Sequence, residues 1–197
     1  MKTKNSLFHS ISSIYGLFFN TQVKNFSSIL NNIKTELDLS NYKSIVDIGC
    51  GTGALCNVLY EQGLSVTGID PAIGMIETAK KKSIDKKIKF IEANVLNVLP
   101  FEDKSFDVSI SSFVAHGLSQ YERQEMYDEM ERITKHLVII YDYNQHRGII
   151  TDIVEWLEGG DYFNFIKTVK YELNEKFRDV KIIRANIRSA LYIAKLK

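Results

Sequence analysis

A glycine-rich turn between a β-branched stretch and an apolar helical stretch constrains the fold of this chain more than any other feature. Ser44–Ile48 predicts a short buried strand, because its branched apolar residues are followed at once by glycines. Gly49, Gly51 and Gly53 form a turn, here called the glycine turn (residues 49–53), directly before a predicted helix. Glycines at the carboxyl end of a parallel strand let the backbone turn sharply and let a ligand approach closely. We therefore expect an α/β fold with a ligand site at this turn.

Predicted strands alternate with predicted helices along the rest of the chain. Further strands are predicted at 64–69, 88–92, 106–111 and 137–141, and helices at 54–61, 73–82, 121–134, 149–157 and 162–175. The last two predicted strands, 180–183 and 190–194, have little between them, so they should pair as an antiparallel hairpin. This order predicts a doubly wound, mostly parallel seven-stranded sheet with a C-terminal antiparallel hairpin.

The length of 197 residues suits a single domain. Apolar residues recur at helical spacing between Phe8 and Leu37, which predicts one or two amphipathic helices before the first strand. We expect one domain over 1–197, in which residues 1–42 form an N-terminal helical cap, or lid, and residues 43–197 form the α/β core.

Charge and cysteine content exclude several classes of protein. The net charge of +1 provides no global positive field, so nucleic acid is a disfavoured partner. Two cysteines cannot form a disulfide framework or a four-cysteine metal site, and we expect no metal. No apolar run approaches the roughly 18–20 residues that span a bilayer. The sequence predicts a cytoplasmic protein with no membrane partner.

Two acidic residues flank the glycine turn and restrict the class of ligand. Asp70 ends the second predicted strand, where a carboxylate can accept hydrogen bonds from both hydroxyls of a ribose. Asp47 precedes the glycines, where it would repel a pyrophosphate by roughly a kcal/mol or more and would attract an ammonium group. The pair favours a nucleoside with an amino-acid end, such as S-adenosylmethionine, over a dinucleotide.

From about residue 43 to the end, the sequence resembles the class I S-adenosylmethionine-dependent methyltransferases. The resemblance rests on segments that are similar to the family's motifs in the same order: 46–53, 68–75, 91–95 with 99–101, 106–116 and 191–195. It implies a Rossmann-like methyltransferase fold, S-adenosyl-L-methionine as the cofactor and S-adenosyl-L-homocysteine as the product.

The resemblance also implies the cofactor-binding residues, which lie at or after the carboxyl ends of the first four predicted strands. They are Asp47, Gly49, Cys50, Gly51, Gly53, Asp70, Pro71, Met75, Asn94, Val95 and Ser111. In the family's pattern the acid at Asp70 holds the ribose and the methionine at Met75 lies near the adenine. Asn94 stands where relatives often have Asp, and its amide oxygen can still accept from the adenine amino group. A turn-forming role for Asn94 is the alternative.

Acceptor-side residues are expected where the fourth and fifth strands end. His116 is a candidate substrate-facing or proton-accepting catalytic group, with a structural histidine as the alternative. Tyr141 and Tyr143, with Asp142 between them, are candidates to line the acceptor pocket, with a solvated loop as the alternative. Tyr15 is a candidate to cover the methyl group, with ordinary helix packing as the alternative.

The function that the resemblance implies is methyl transfer from S-adenosylmethionine to a small-molecule acceptor. The protein would mainly position the acceptor in line with the methyl group and exclude water. A methyltransferase of RNA or protein is one alternative, and a protein that binds the cofactor without turnover is another. A nicotinamide-dependent oxidoreductase is a third. The acceptor, its accepting atom and the oligomeric state cannot be predicted from this sequence.

Overall fold

The computed structural model describes residues 3–148, 152 and 159–196, and of residues 3–17 it describes only the helical backbone. These residues belong to two compact units, Met1–Asn94 and Val95–Lys197. The predicted helix at 149–157 and the side chain of Tyr15 lie outside the described residues. No helix in the described ranges combines the length and the apolar character needed to cross a membrane.

The first unit is a three-stranded parallel sheet with helices. Its elements are α1 (Thr3–Asn32), β1 (Ser44–Ile48), α2 (Ala54–Glu61), β2 (Ser65–Asp70), α3 (Ile73–Lys82) and β3 (Lys89–Glu92). Strand β2 pairs in parallel with both β1 and β3, with Ile48 opposite Ile69 and Asp70 opposite Glu92. The carboxyl ends of all three strands therefore meet at one edge, where the glycine turn also lies.

Apolar side chains from both the strands and the helices form the core of this unit. Ile45 and Val46 of β1, Leu59 of α2, Ile69 of β2 and Ile76 of α3 are all fully or almost fully buried. Strands that are apolar on both faces require cover on both faces, which is why a helix connects β1 to β2 and another connects β2 to β3. Helix α1 packs against α2 and α3, and its role as a lid stays a prediction.

The second unit contains parallel and antiparallel pairs. Its elements are β4 (Phe106–Ser112), α4 (Gln120–Ile133), β5 (Thr134–Tyr143), α5 (Tyr162–Lys176), β6 (Val180–Arg184) and β7 (Ser189–Lys195), with a short 3-10 turn at Ala115–Gly117. Strands β4 and β5 are parallel, whereas β7 runs antiparallel to both β5 and β6. The predicted C-terminal hairpin is therefore confirmed.

The seven strands form one mostly parallel sheet with helices on its faces, which confirms the predicted fold class. The N-terminal region is one long helix, α1, up to Asn32, which is one of the two forms that the sequence predicts. One detail differs from the prediction. Strand β5 begins at Thr134, directly after α4, because Thr134 already pairs opposite Phe106 and the register shifts between Phe106 and Val108. The organisation as a single domain with a cap over 1–42 stays a prediction.

Candidate cofactor and acceptor sites

The glycine turn has a backbone that glycine adopts without strain. Gly49, Gly51 and Gly53 have φ angles of 71°, 52° and 80°, all in the left-handed region. A Cβ at Gly53 would lie 3.0 Å from the ring of Phe90, so this glycine is also required by close packing. A Cβ at Gly51 would meet none of the described atoms within 4 Å. The turn is therefore tightly packed at Gly53 and open beside Gly51, where a ligand can approach.

The carboxylate of Asp70 holds this turn in place. Its Oδ2 accepts a hydrogen bond from the backbone N–H of Gly51 at 2.9 Å, and its Oδ1 accepts one from Ala72 at 2.9 Å. Burial raises the pKa of Asp70, while these two N–H donors lower it. Each carboxylate oxygen has about two lone-pair sites, so each retains acceptor capacity for a ribose hydroxyl. Asp70 therefore fixes the glycine turn and the start of α3, and its carboxylate oxygens can still accept hydrogen bonds from a ligand.

Asp47 lies fully buried beneath the same turn. The thiol of Cys56 donates to its Oδ2 at 3.2 Å, whereas its Oδ1 has no hydrogen-bond partner within the described part of the chain. Burial raises the pKa of Asp47 to about 7, the thiol of Cys56 opposes that rise, and the nearby charge of Asp70 adds to it. Burial also raises the pKa of Cys56 well above its ordinary value, so this thiol stays protonated and can donate. A buried carboxylate oxygen without a donor fits a ligand that brings a positive charge.

The remaining candidates of the first unit follow β2 and β3. Pro71 is exposed and Met75 is half-buried in the first turn of α3, directly after Asp70. Asn94 is exposed just beyond β3, and the neighbouring Ala93 donates to the backbone oxygen of Asp70 at 3.2 Å. These residues lie at the same edge of the sheet as the glycine turn, which is where an adenine ring would extend from a ribose held at Asp70.

Two further cofactor candidates belong to the second unit. Val95 is buried, with 8% of its surface exposed. Ser111, near the end of β4, is buried as well, and its hydroxyl has no hydrogen-bond partner among the residues that the structure describes. A buried hydroxyl without a partner is rare in folded proteins, which makes Ser111 a candidate to donate to a ligand.

On the acceptor side, His116 is paired with Asp142. His116 lies in the 3-10 turn after β4, and its Nδ1 is 2.8 Å from Oδ1 of Asp142, a residue of β5. The backbone N–H of His116 donates to Oδ2 of Asp142 at 3.2 Å, and that of Tyr143 donates to Oδ1 at 2.7 Å. Asp142 is completely buried. This carboxylate therefore fixes both the ring and the backbone of His116.

Aromatic rings surround this pair. The aromatic cluster, as we call it, consists of Phe113, His116, Tyr141, Tyr143 and Tyr162. Phe113 lies 4.8 Å from Tyr141 and 5.3 Å from Tyr143 between ring centroids, and Tyr143 lies 4.8 Å from His116 and 5.0 Å from Tyr162. Tyr141 is 4% exposed and its hydroxyl accepts from Ser189. Tyr141 thus forms the interior of the cluster, whereas Phe113 is 39% exposed.

Phe113 was not among the residues singled out from the sequence. Its φ of 54° is unusual for a bulky side chain, and strain of this kind concentrates at functional sites. Its position directly after β4 and before His116 was visible in the sequence, but its backbone conformation was not. Tyr162 was also missed, because it begins a helix that is distant in sequence from β5.

A buried arginine supports the turn that carries His116. Arg123 has no exposed surface, and its Nε and Nη2 donate to both oxygens of Glu172 at 2.8 and 2.7 Å. Its Nη1 donates to Asp161 at 2.9 Å and to the backbone oxygen of Leu118 at 2.6 Å. Arg123 therefore links α4, α5 and the end of the 3-10 turn. Arg123 was not predicted from the sequence, because no local sequence pattern indicates that it pairs with the distant Glu172.

Comparisons with known proteins agree with this geometry. Residues 46–141 match a family model described as a methyltransferase domain. The chain is 35% identical over 96 residues to the ubiquinone/menaquinone biosynthesis C-methyltransferase UbiE of Campylobacter jejuni, covering 45% of this chain and 39% of that protein. It is 32% identical over 99 residues to demethylmenaquinone methyltransferase of Paenarthrobacter aurescens, covering 50% and 37%.

A solved structure shows the same fold. Human N-acetylserotonin methyltransferase, crystallised in complex with S-adenosylmethionine, aligns with a TM-score of 0.72 and 16% identity over 98% of this chain and 56% of that chain. The chain spans about two fifths of the length of the curated relatives that it matches. The fold, the order of the motifs around the glycine turn and the matched family model agree, and all three are characteristic of the class I S-adenosylmethionine-dependent methyltransferases.

Proposed function

We propose that this chain transfers a methyl group from S-adenosylmethionine to a small-molecule acceptor. The observation that carries the proposal is the glycine turn, with Asp70 tethering it and, beneath it, an oxygen of Asp47 that has no partner among the residues that the structure describes. These residues fit a ligand that combines ribose hydroxyls with an ammonium group. The matched relatives that are named for ubiquinone and menaquinone biosynthesis support a small acceptor.

The cofactor-binding roles follow from the chemistry of each residue. Asp70 would accept from the ribose hydroxyls, Asp47 would attract the ammonium group, and Met75 and Asn94 would hold the adenine. The backbone of the glycine turn, including Cys50, would bind the amino-acid end of the cofactor, and Pro71, Val95 and Ser111 stay candidates from the sequence. The cofactor, when bound, supplies a methyl group on a positively charged sulfur. The protein orients the acceptor, excludes water and accepts a proton.

The first experiment tests the cofactor site by calorimetric titration with S-adenosylhomocysteine. We expect Asp70→Ala to weaken binding at least about tenfold, because the ribose loses a charged acceptor. Asp85→Ala is the matched control, since Asp85 is an exposed acid of the same unit, and it should bind like the parent. Equal affinities of Asp70→Ala and the parent would contradict the proposed site.

The second experiment tests turnover. The full chain is incubated with labelled S-adenosylmethionine and a library of small metabolites, and transfer of label to an acceptor is measured. Transfer to at least one small molecule is expected. Tight cofactor binding with label transferred only to RNA or protein, or to nothing, would instead support one of the alternative functions.

A further inference from the structure

One short segment of the first unit carries far more positive charge than the rest of the chain. The lysine segment, as we call residues 80–89, contains six lysines and one acid, a net charge of +5, although the whole chain has a net charge of +1. The helix dipole favours lysines at a helix C-terminus, which explains Lys80, Lys81 and Lys82 in the last turn of α3. It does not explain the three lysines that follow the helix, so the charge of the whole segment indicates a further role.

Most of this charge faces solvent without a neighbouring acid. Five of the six lysines are exposed, and among the described residues none of the five has an acid within ion-pair distance. The sixth, Lys86, is half-buried and forms an ion pair with Glu61. The five exposed lysines are Lys80, Lys81, Lys82, Lys87 and Lys89.

An apolar side chain lies at the tip of the same segment. Ser83 is buried, and its hydroxyl accepts a hydrogen bond from Nδ2 of Asn57 at 2.7 Å. The backbone N–H of Lys86 donates to the backbone oxygen of Ser83 at 2.9 Å, which closes a tight turn. Ile84 lies within this turn and is 81% exposed. A single exposed isoleucine is ordinary, but here the turn holds it in solvent between two groups of lysines.

The lysine segment lies at the opposite end of β3 from the cofactor candidates. Lys89, at the amino end of β3, is opposite Thr67, whereas Glu92, at the carboxyl end, is opposite Asp70. Three steps along a strand span about 10 Å. A partner bound at the lysine segment therefore does not need to cover the edge of the sheet that carries the glycine turn.

The residues of the segment favour one kind of anionic partner. Charge alone attracts any polyanion, including RNA. Recognition of RNA commonly adds aromatic rings for stacking and the planar guanidinium of arginine, and residues 80–89 contain neither. An anionic bilayer has a negative surface with an apolar layer directly beneath it. Exposed lysines around the exposed Ile84 match that combination.

We propose that the lysine segment docks this protein on an anionic lipid surface, with the lysines against the headgroups and Ile84 inserted between them. The contact is peripheral, so it needs no helix that spans the membrane. In this orientation the carboxyl ends of the strands of the first unit face away from the bilayer. The inference does not depend on the proposed methyl transfer.

The contribution of charge is tested by sedimentation of the full chain with vesicles of phosphatidylcholine, with and without phosphatidylserine. We expect binding only to the vesicles that contain phosphatidylserine, and loss of this binding at high salt. Each lysine near an anionic surface contributes roughly fivefold to binding, so Lys81→Glu/Lys87→Glu should lower binding at least about tenfold. Lys167→Glu/Lys170→Glu makes the same change of charge at exposed lysines of α5 and should retain most of the binding.

The contribution of the apolar tip is tested with Ile84→Ser. We expect this variant to bind the same vesicles about fivefold more weakly, because a partly inserted isoleucine loses its contact with the apolar layer. Val98→Ser is the matched control, since Val98 is 85% exposed and lies outside the segment, and it should bind like the parent. Circular dichroism checks that each variant is folded, and Lys81→Gln/Lys87→Gln replaces the charge reversal if that variant does not fold.

Equal binding to both kinds of vesicle, or no binding to either, would overturn the proposal. Undiminished binding by Lys81→Glu/Lys87→Glu or by Ile84→Ser would overturn it as well. A single-stranded RNA is the second probe. Binding to this RNA without binding to vesicles would make the segment an RNA contact. Calorimetry with S-adenosylhomocysteine tests the methyl-transfer function separately, because neither result determines the other.

Discussion

The carboxyl group of Asp47 lies fully buried beneath the glycine turn, and this burial raises its pKa to about 7. In the unfolded chain the same group has its ordinary value near 3.8. Between these two values the folded state holds a proton that the unfolded state has lost, so the free energy of unfolding falls as the pH rises from about 4 to 7. Above the folded value this loss of stability is complete.

Replacing Asp47 with Asn should remove this pH dependence, because Asn is of similar size and has no charge to bury. We expect the stability of Asp47→Asn relative to the parent to increase by about 3 kcal/mol between pH 5 and pH 8. Urea denaturation at several pH values measures it, with Asp85→Asn as the control for an exposed acid. Parallel stability curves for Asp47→Asn and the parent would show that Asp47 titrates normally.

Residues of the glycine turn were identifiable from the sequence because they are close together and directly follow a strand. The pairing of His116 with Asp142 was not, since the two residues are 26 positions apart. They meet only because β4 and β5 are parallel neighbours with Ser112 opposite Tyr141. That register depends on a shift between Phe106 and Val108, which no local pattern indicates.

Among the elements, the glycine turn combines two different requirements for glycine. Gly51 needs a left-handed backbone but has open space around it, whereas Gly53 also contacts Phe90 and Ala79. We expect Gly53→Ala to lower the free energy of unfolding by more than Gly51→Ala, for which the left-handed backbone costs about 1–2 kcal/mol. Thermal denaturation measures both. In calorimetry, Gly51→Ala should mainly weaken the binding of S-adenosylhomocysteine, and equal effects of the two variants on stability would contradict this division.

Helices α4 and α5 are joined by the buried pair of Arg123 and Glu172. Removing one partner leaves the other charge buried without compensation, so we expect Arg123→Met to cost about 3–5 kcal/mol of stability. The double variant Arg123→Met/Glu172→Met should recover much of that loss, because both charges are then absent. Chemical denaturation of the parent, of the single variants Arg123→Met and Glu172→Met and of the double variant gives the coupling energy. A double variant as unstable as the sum of the single variants would show that the pair is not coupled.

Element type was predictable where periodicity and turn residues agreed. The two C-terminal strands were recognised because a short segment between them requires antiparallel pairing, and β7 does pair with both β5 and β6. The start of β5 was predicted too late. Lys135 and His136 are polar and exposed, so the sequence there resembles a loop although the backbone is already paired.

At the scale of the whole molecule, binding the proposed cofactor should be detectable without any acceptor. A ligand at 100 times its dissociation constant stabilises the folded state by about 2.7 kcal/mol. We expect S-adenosylhomocysteine to raise the melting temperature of the full chain, and Asp70→Ala to lose most of that increase at the same concentration. Adenosine alone should have a smaller effect, because it has no amino-acid end for the glycine turn. Equal shifts with adenosine and with S-adenosylhomocysteine would contradict the role given to Asp47.

The fold class of the molecule could be predicted from the order of its strands in the sequence. The residues around the acceptor could not be predicted in full. The glycine turn and its acids lie within a region that also matches the family model, residues 46–141. The aromatic cluster includes Tyr162, which lies beyond that region, at the start of α5. Side chains that converge from several distant segments leave no local pattern, so their chemistry is visible only in the folded chain.

The carboxylate of Asp70 has a consequence for anyone who wishes to redesign this protein for an altered nucleoside. The same two oxygens that would face a sugar already brace the loop at Gly51 and the entry into α3 at Ala72. Changing the sugar preference at this position therefore means rebuilding the loop that supports it. Specificity engineering has more freedom at the exposed Asn94, whose replacement leaves that bracing intact.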